Sequence, residues 1–160
     1  MVIGYGNLER GDDGVAFHVV NRLRRALGRA PLGDADTGLQ DLGADTDAVF
    51  IRQLVPELAV EAAAYDRLVF VDAHVPSLGQ AVACARILPE ARLSAFSHLM
   101  APAAFLWLAQ AVGGRAPAGF LVSLRGRCFD PVRGLSPQTA GLVNRAAARI
   151  RRLLSVTPEM

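Results

Sequence analysis

The chain has 160 residues, 52% of them apolar and 20% charged, with a formal net charge of +2. That length suits one domain with a two- or three-layer core, and that apolar fraction excludes intrinsic disorder. All 17 basic residues are arginine, and the groups Arg22, Arg24, Arg25, Arg29 and Arg145, Arg149, Arg151, Arg152 carry no interleaved aromatics, so they read as solvated helix faces and not as a nucleic-acid surface.

In chain order, VIGY at the start is a short apolar strand, short enough to place a natural start a few residues upstream. Gly4 and Gly6 then permit a close backbone approach at its exit. The pair Asp12-Asp13 opens a helix over about 13–27, with Val15, Val19, Leu23 and Leu27 on its buried stripe. The layout is that of an opening βα unit, yet position 9 is Glu9 where a dinucleotide fingerprint has its third glycine. Carboxylates at a helix N-terminus repel phosphate, because they occupy the end whose free N–H groups would bind it. The turn therefore reads as a place for a cation or a proton, and a nucleotide-binding βαβ domain is set aside.

Residues 28–47 form a Gly/Asp-rich connector whose spacing does not match a calcium loop. It reads as solvated loop with a brief strand near Leu39–Leu42. A strand follows over 48–54, and Pro56 opens a helix carrying PELAVEAAA. LVFVD at 68–72 is apolar throughout until its last residue, as in a central parallel strand covered on both faces. Residues 81–88 read as another strand, the antiparallel or edge member because Arg86 and small alanines alternate along it. Pro102 opens a helix that Gly113-Gly114 stops, residues 120–124 make the last strand, and Ser136-Pro137 begin a long helix with Leu142, Ala146, Ile150 and Leu153 buried. This alternation predicts an α/β fold: a mostly parallel, twisted sheet of about five strands with helices on both faces, a three-layer sandwich.

Function in such sheets gathers at the carboxyl ends of the strands. Asp13 in the turn after the first strand, Asp72 at the end of LVFVD and His98 before the helix at Pro102 all fall there. Two carboxylates and an imidazole from separate loops make a mixed O/N donor set suited to Ni²⁺, Zn²⁺ or another borderline divalent cation. Each has a plainer role open to it: Asp13 as a first-turn partner of the helix dipole, Asp72 as a loop cap, His98 as a surface residue. His74 is a competing ligand, and His18 on the helix reads as structural. Ser97 and His98 are adjacent and cannot face each other as nucleophile and base. No G-x-S-x-G elbow is present. Cys84 and Cys128 lack C-x-x-C spacing and read as lone thiols, of a reducing compartment or as small buried residues, and not as a disulfide framework. No apolar run reaches the ~18 to 20 residues a membrane span needs and no leader pattern is present, so the expected location is cytoplasmic.

Five segments, in order, resemble one family. GYGNLERGDDG, QLVPELA at 53–59, LVFVDA at 68–73, FSHLMAPAAFLWLAQAVGG at 96–114 and LVSLRGRCFDPVRGLSP at 121–137 are similar to the motifs of the [NiFe] hydrogenase maturation endopeptidases. The resemblance spans most of the chain and implies a single domain of this kind over 1–160. It also implies a reaction, removal of the C-terminal extension of a hydrogenase large-subunit precursor once nickel is in place. Carried over residue by residue, the family's metal-binding and catalytic positions fall on Asp13, Asp72 and His98, and the nickel arrives with the substrate. Three protein ligands leave positions for substrate thiolates or water; a divalent cation lowers water's pKa, so the metal either activates a water or serves recognition alone. The chain departs from the family at Tyr5, at Ala16, at Asp13 where some members carry glutamate, and at Val132-Arg133. The reading from another class is a metal- or partner-sensing domain that keeps the fold without cutting.

Overall fold

The computed structural model describes residues 1–77, 79–91 and 99–155. Five strands form one sheet in the order β2-β1-β3-β5-β4, with β1 Val2–Tyr5, β2 Ala48–Ile51, β3 Arg67–His74, β4 Val82–Ile87 and β5 Ala118–Arg125. β1 pairs in parallel with β2 and β3, and β3 in parallel with β5; β4 is antiparallel to β5 at the edge. The alternating sequence of β4, half-exposed along its length, fits that edge position.

Two apolar layers account for the sandwich. Side chains alternate along the strands, so Val2, Phe50, Val69, Val71, Val122 and Leu124 face one way and pack with helices α1 (Val15–Ala26) and α5 (Val143–Ser155). Ile3, Val49, Ile51, Leu68 and Phe70 face the other way, against α2 (Leu58–Ala62) and α3 (Pro102–Gly113). Leu68, Val69, Phe70 and Val71 are all fully buried, which is why LVFV carries no polar alternation.

The helix ends follow local chemistry. Pro102 occupies the first turn of α3, and Gly114 ends it in the left-handed conformation with its N–H on Gln110. Ser136 caps the short α4 (Pro137–Ala140) through the Thr139 N–H. A turn at Gly141-Leu142 then separates α4 from α5, so the expected single helix is two. Leu142 N–H bonds back to Thr139 in a tighter three-residue step.

Three further expectations are corrected. The helix after β1 ends at Ala26 and leaves Leu27 43% exposed, off the buried stripe. Leu39–Asp41 is a 3₁₀ turn, not a strand. The connector is not simply solvated: Arg24, read as a surface charge, is 4% exposed and bonds the carbonyls of Ala30 and Ala48 and the Asp41 carboxylate. Arg29 pairs with Asp41 and with buried Asp47. Charged residues bury here because each finds a partner.

The chain leaves β1 for β2 on one side, then returns past β1 to β3 on the other. That reversal opens a crevice between the carboxyl ends of β1 and β3, where such sheets place ligands.

Candidate active site

The acidic pair after β1 splits into two roles. A 3₁₀ turn over Gly11–Gly14 carries both aspartates into α1. Asp12 is fully buried. It accepts the main-chain N–H groups of Arg127 (2.7 Å), Cys128 (2.9 Å) and Ser136 (2.7 Å), and the hydroxyls of Ser136 and Thr139 lie 2.8 and 2.9 Å away. Its own N–H donates to the Cys128 carbonyl. Burial alone would raise its pKa, but these donors outweigh that cost and hold it below the usual carboxylate range. Asp12 is thus a clasp between the first turn and the N-terminus of α4. The cation-holding role read for the pair is left to Asp13 alone.

Asp13 is half-buried at the crevice, its Oδ2 accepting the Asn7 N–H at 2.8 Å. Gly6 makes that approach feasible. Its φ is +148°, and a Cβ there would stand 2.0 Å from the Asp13 carbonyl oxygen, so no side chain fits.

Asp72 lies on β3, opposite Ser123 of β5 and one step beyond the Gly4–Val71 pair with β1. It is two residues short of the end of β3, which runs on to His74. Its Oδ1 accepts the Ala73 N–H at 2.7 Å, and the Tyr5 hydroxyl lies near enough to favour its charged form. Burial pushes its pKa up to about 6, the two donors oppose the rise, and the charge of Asp13 adds to it. That last effect places the carboxylates of Asp13 and Asp72 within electrostatic reach of each other, although 59 residues separate them in the chain. Burial, with Asp72 beside it, likewise raises the Tyr5 phenol above its ordinary value.

His74 is not a free ligand. Its Nε2 lies 3.0 Å from the Gln80 carbonyl, which only accepts, so that nitrogen carries the proton; Nδ1 then accepts the Ser123 hydroxyl at 2.9 Å. His18 is exposed on α1. His98 and Ser97 lie outside the described residues. Among the described residues no three histidine, cysteine or carboxylate side chains gather about one point, so the structure brings together Asp13 and Asp72 of the predicted set. Burial and the charge of Asp13 disfavour the ionised form of Asp72, a cost that a nearby cation would relieve.

Sequence reasoning missed two residues here. Tyr5 counted only as a departure from a small aliphatic, but register alone would have found it, since it follows Gly4 on β1 as Asp72 follows Val71 on β3. Asp12 had no signal of its own, because its partners are main-chain groups over 110 positions away.

A cleft of about 410 Å³ adjoins the site, lined in part by Gly6, Asn7, Phe50, Ile51, Arg52 and Arg133. Arg133 pairs there with Glu9 (2.8 Å) and Asp34 (2.9 Å).

No protein-family model matches the chain, and no curated protein sequence matches it. Solved structures do. The hydrogenase maturating endopeptidase HybD from E. coli is 19% identical, with a TM-score of 0.65 over 96% of this chain and 90% of that one. The [NiFe] hydrogenase maturation protease HycI from Thermococcus kodakarensis KOD1 is 19% identical, with a TM-score of 0.65 over 97% of this chain and 92% of that one. The hydrogenase 2 maturation peptidase from Thaumarchaeota archaeon SCGC_AB-539-E09 is 20% identical, with a TM-score of 0.61 over 98% and 97%. The chain therefore has the fold of hydrogenase maturation endopeptidases along nearly its whole length.

Proposed function

We propose that this protein is a cytoplasmic endopeptidase that removes the C-terminal extension of a [NiFe] hydrogenase large-subunit precursor after nickel has been loaded. The observation that carries the reading is the Asp13–Asp72 pair, held at the crevice of a fold shared with hydrogenase maturation endopeptidases. Fold likeness alone would not specify chemistry; the pair supplies the site.

The electrostatics give the selectivity a physical basis. Asp72 is desolvated and repelled by Asp13, so its charged form is disfavoured while the crevice is empty. A divalent ion arriving on the precursor relieves both penalties, whereas a nickel-free precursor brings nothing to offset them. Asp13 and Asp72 supply oxygen ligands and His98 a nitrogen, leaving positions for groups of the substrate. The main-chain N–H groups of Asn7 and Ala73 fix the two carboxylates, and the Tyr5 hydroxyl orients the second.

Asp72→Asn and His98→Ala test the reading. Each is expected to abolish or strongly slow shortening of nickel-loaded precursor, followed by mass spectrometry of its C-terminus, while His18→Ala processes at nearly the wild-type rate. Wild-type processing by Asp72→Asn would overturn nickel recognition at this site, whereas a wild-type chain that leaves loaded precursor uncut would favour the sensing-domain reading.

A further inference from the structure

The outer edge of β2 ends in two main-chain groups that nothing described engages. Gly6 N–H bonds the Ile51 carbonyl at 3.3 Å, so that carbonyl points to β1. A trans peptide sets its C=O and N–H on opposite sides, and the Arg52 N–H is therefore aimed away from β1. Phe50 turns the same outward way, its N–H donating to the Thr37 carbonyl at 2.9 Å, and its own carbonyl shares that side. Earlier along the edge, the Ala48 carbonyl is closed off by Arg24 Nη1 at 3.0 Å. Among the described residues, the Phe50 carbonyl and the Arg52 N–H have no hydrogen-bond partner.

Both groups belong to residues lining the 410 Å³ cleft. Asn7, which lines it too, donates its N–H to Asp13. The cleft thus runs from a free strand edge to Asn7, whose N–H holds the Asp13 carboxylate. A carbonyl and an N–H flanking one edge residue are the two groups that a single residue of an added parallel strand satisfies with its own N–H and C=O. Unpaired strand edges are templates for such addition, and native proteins normally cover them. Here Thr37 covers Phe50 N–H and the cover stops at the cleft. The Arg52 side chain, exposed and held only by a 3.4 Å contact to Asn7 Oδ1, stands at the same place with no carboxylate partner among the described residues.

We infer that the Phe50–Arg52 edge binds the precursor's C-terminal segment as an added β-strand, extended along the cleft toward Asn7, which holds Asp13. This rests on the endopeptidase reading. Main-chain pairing fixes where the segment lies without demanding a particular side-chain sequence, and the Arg52 guanidinium favours an acidic side chain or a terminal carboxylate beside it.

The experiment removes the edge donor and, separately, the donors of the peptide. Arg52→Pro deletes both side chain and N–H, while Arg52→Ala deletes the side chain alone. With nickel-loaded precursor, Arg52→Pro is expected to raise KM at least about tenfold above Arg52→Ala at similar kcat. Independently of any variant, synthetic peptides spanning the cleavage region compete against the precursor for the wild-type enzyme, each with one N-methylated amide. One methylated position is expected to weaken competition tenfold or more, with its immediate neighbours nearly unaffected, because only alternate amides face the edge. Unmodified peptide that does not compete, a flat methylation scan, or equal KM in the two variants overturns the inference and leaves the endopeptidase reading intact. A wild-type chain that does not shorten loaded precursor overturns both.

Discussion

Asp12 and Asp72 have opposite energetics to answer for, and pH separates them. Asp12 is held below the usual carboxylate range by its donors. Its contribution to stability is present above the unfolded value of about 3.9 and is lost as pH falls through the folded value. Asp12→Ala leaves buried N–H groups without an acceptor and is expected to cost about 3 kcal/mol or more at pH 7, measured by urea unfolding. Asp72 has the reverse sign. Its folded pKa of about 6 lies above the ordinary 3.8, so its contribution is full below about pH 4 and lost as pH rises through 6. Asp72→Asn is therefore expected to stabilise the protein at pH 7.5 by on the order of 2 kcal/mol, discounted for partial exposure, with the gain vanishing near pH 4. A residue whose removal stabilises the fold while ending processing is a residue kept for function. If Asp72→Asn melts no higher than wild type at pH 7.5, the desolvated carboxylate is wrong.

At the scale of elements, strand and helix identities were legible because each announces itself locally. LVFV has no polar residue to face water, Pro102 and Ser136-Pro137 start helices, and Gly114 stops one. The misreadings share a cause, since each depended on a partner distant in sequence. Arg24 looked like its solvated neighbours until Asp41 and two carbonyls closed around it, and β3 ran past Asp72 because β5 pairs with it as far as Arg125. Of the candidate site, Asp13 was legible from the turn after β1 and Asp72 from the polar end of an apolar run; the clasp at Asp12 was not, and Tyr5 emerges only from the register of β1 on β3. The turn that joins β1 to α1 gives the element-scale prediction. Gly6→Ala must displace the Asp13 backbone, given a 2.0 Å overlap at a φ of +148°. It is expected to lower stability by about 2 kcal/mol or more and to cut processing strongly. Gly28→Ala is the control: its φ of +72° is left-handed, which a side chain adopts at modest cost, and a Cβ there meets nothing within 4 Å, so its cost is about 1 kcal/mol and processing is unaffected.

For the whole molecule, the sheet order β2-β1-β3-β5-β4 is what turns a set of scattered residues into a site. The reversal between β1 and β3 brings Asp13 within electrostatic reach of Asp72, and the edge position of β2 leaves a strand border open beside the cleft that Asn7 lines. The desolvated Asp72 carboxylate costs stability, and in the proposed function a cation delivered by the substrate offsets the cost. The most direct measurement of this claim mixes the purified protein with nickel-loaded and nickel-free large-subunit precursor and follows both C-termini by mass spectrometry. The account predicts that the loaded precursor loses its C-terminal extension at a single site while the nickel-free precursor stays intact. A loaded precursor that keeps its full length, or equal shortening of both forms, would contradict it.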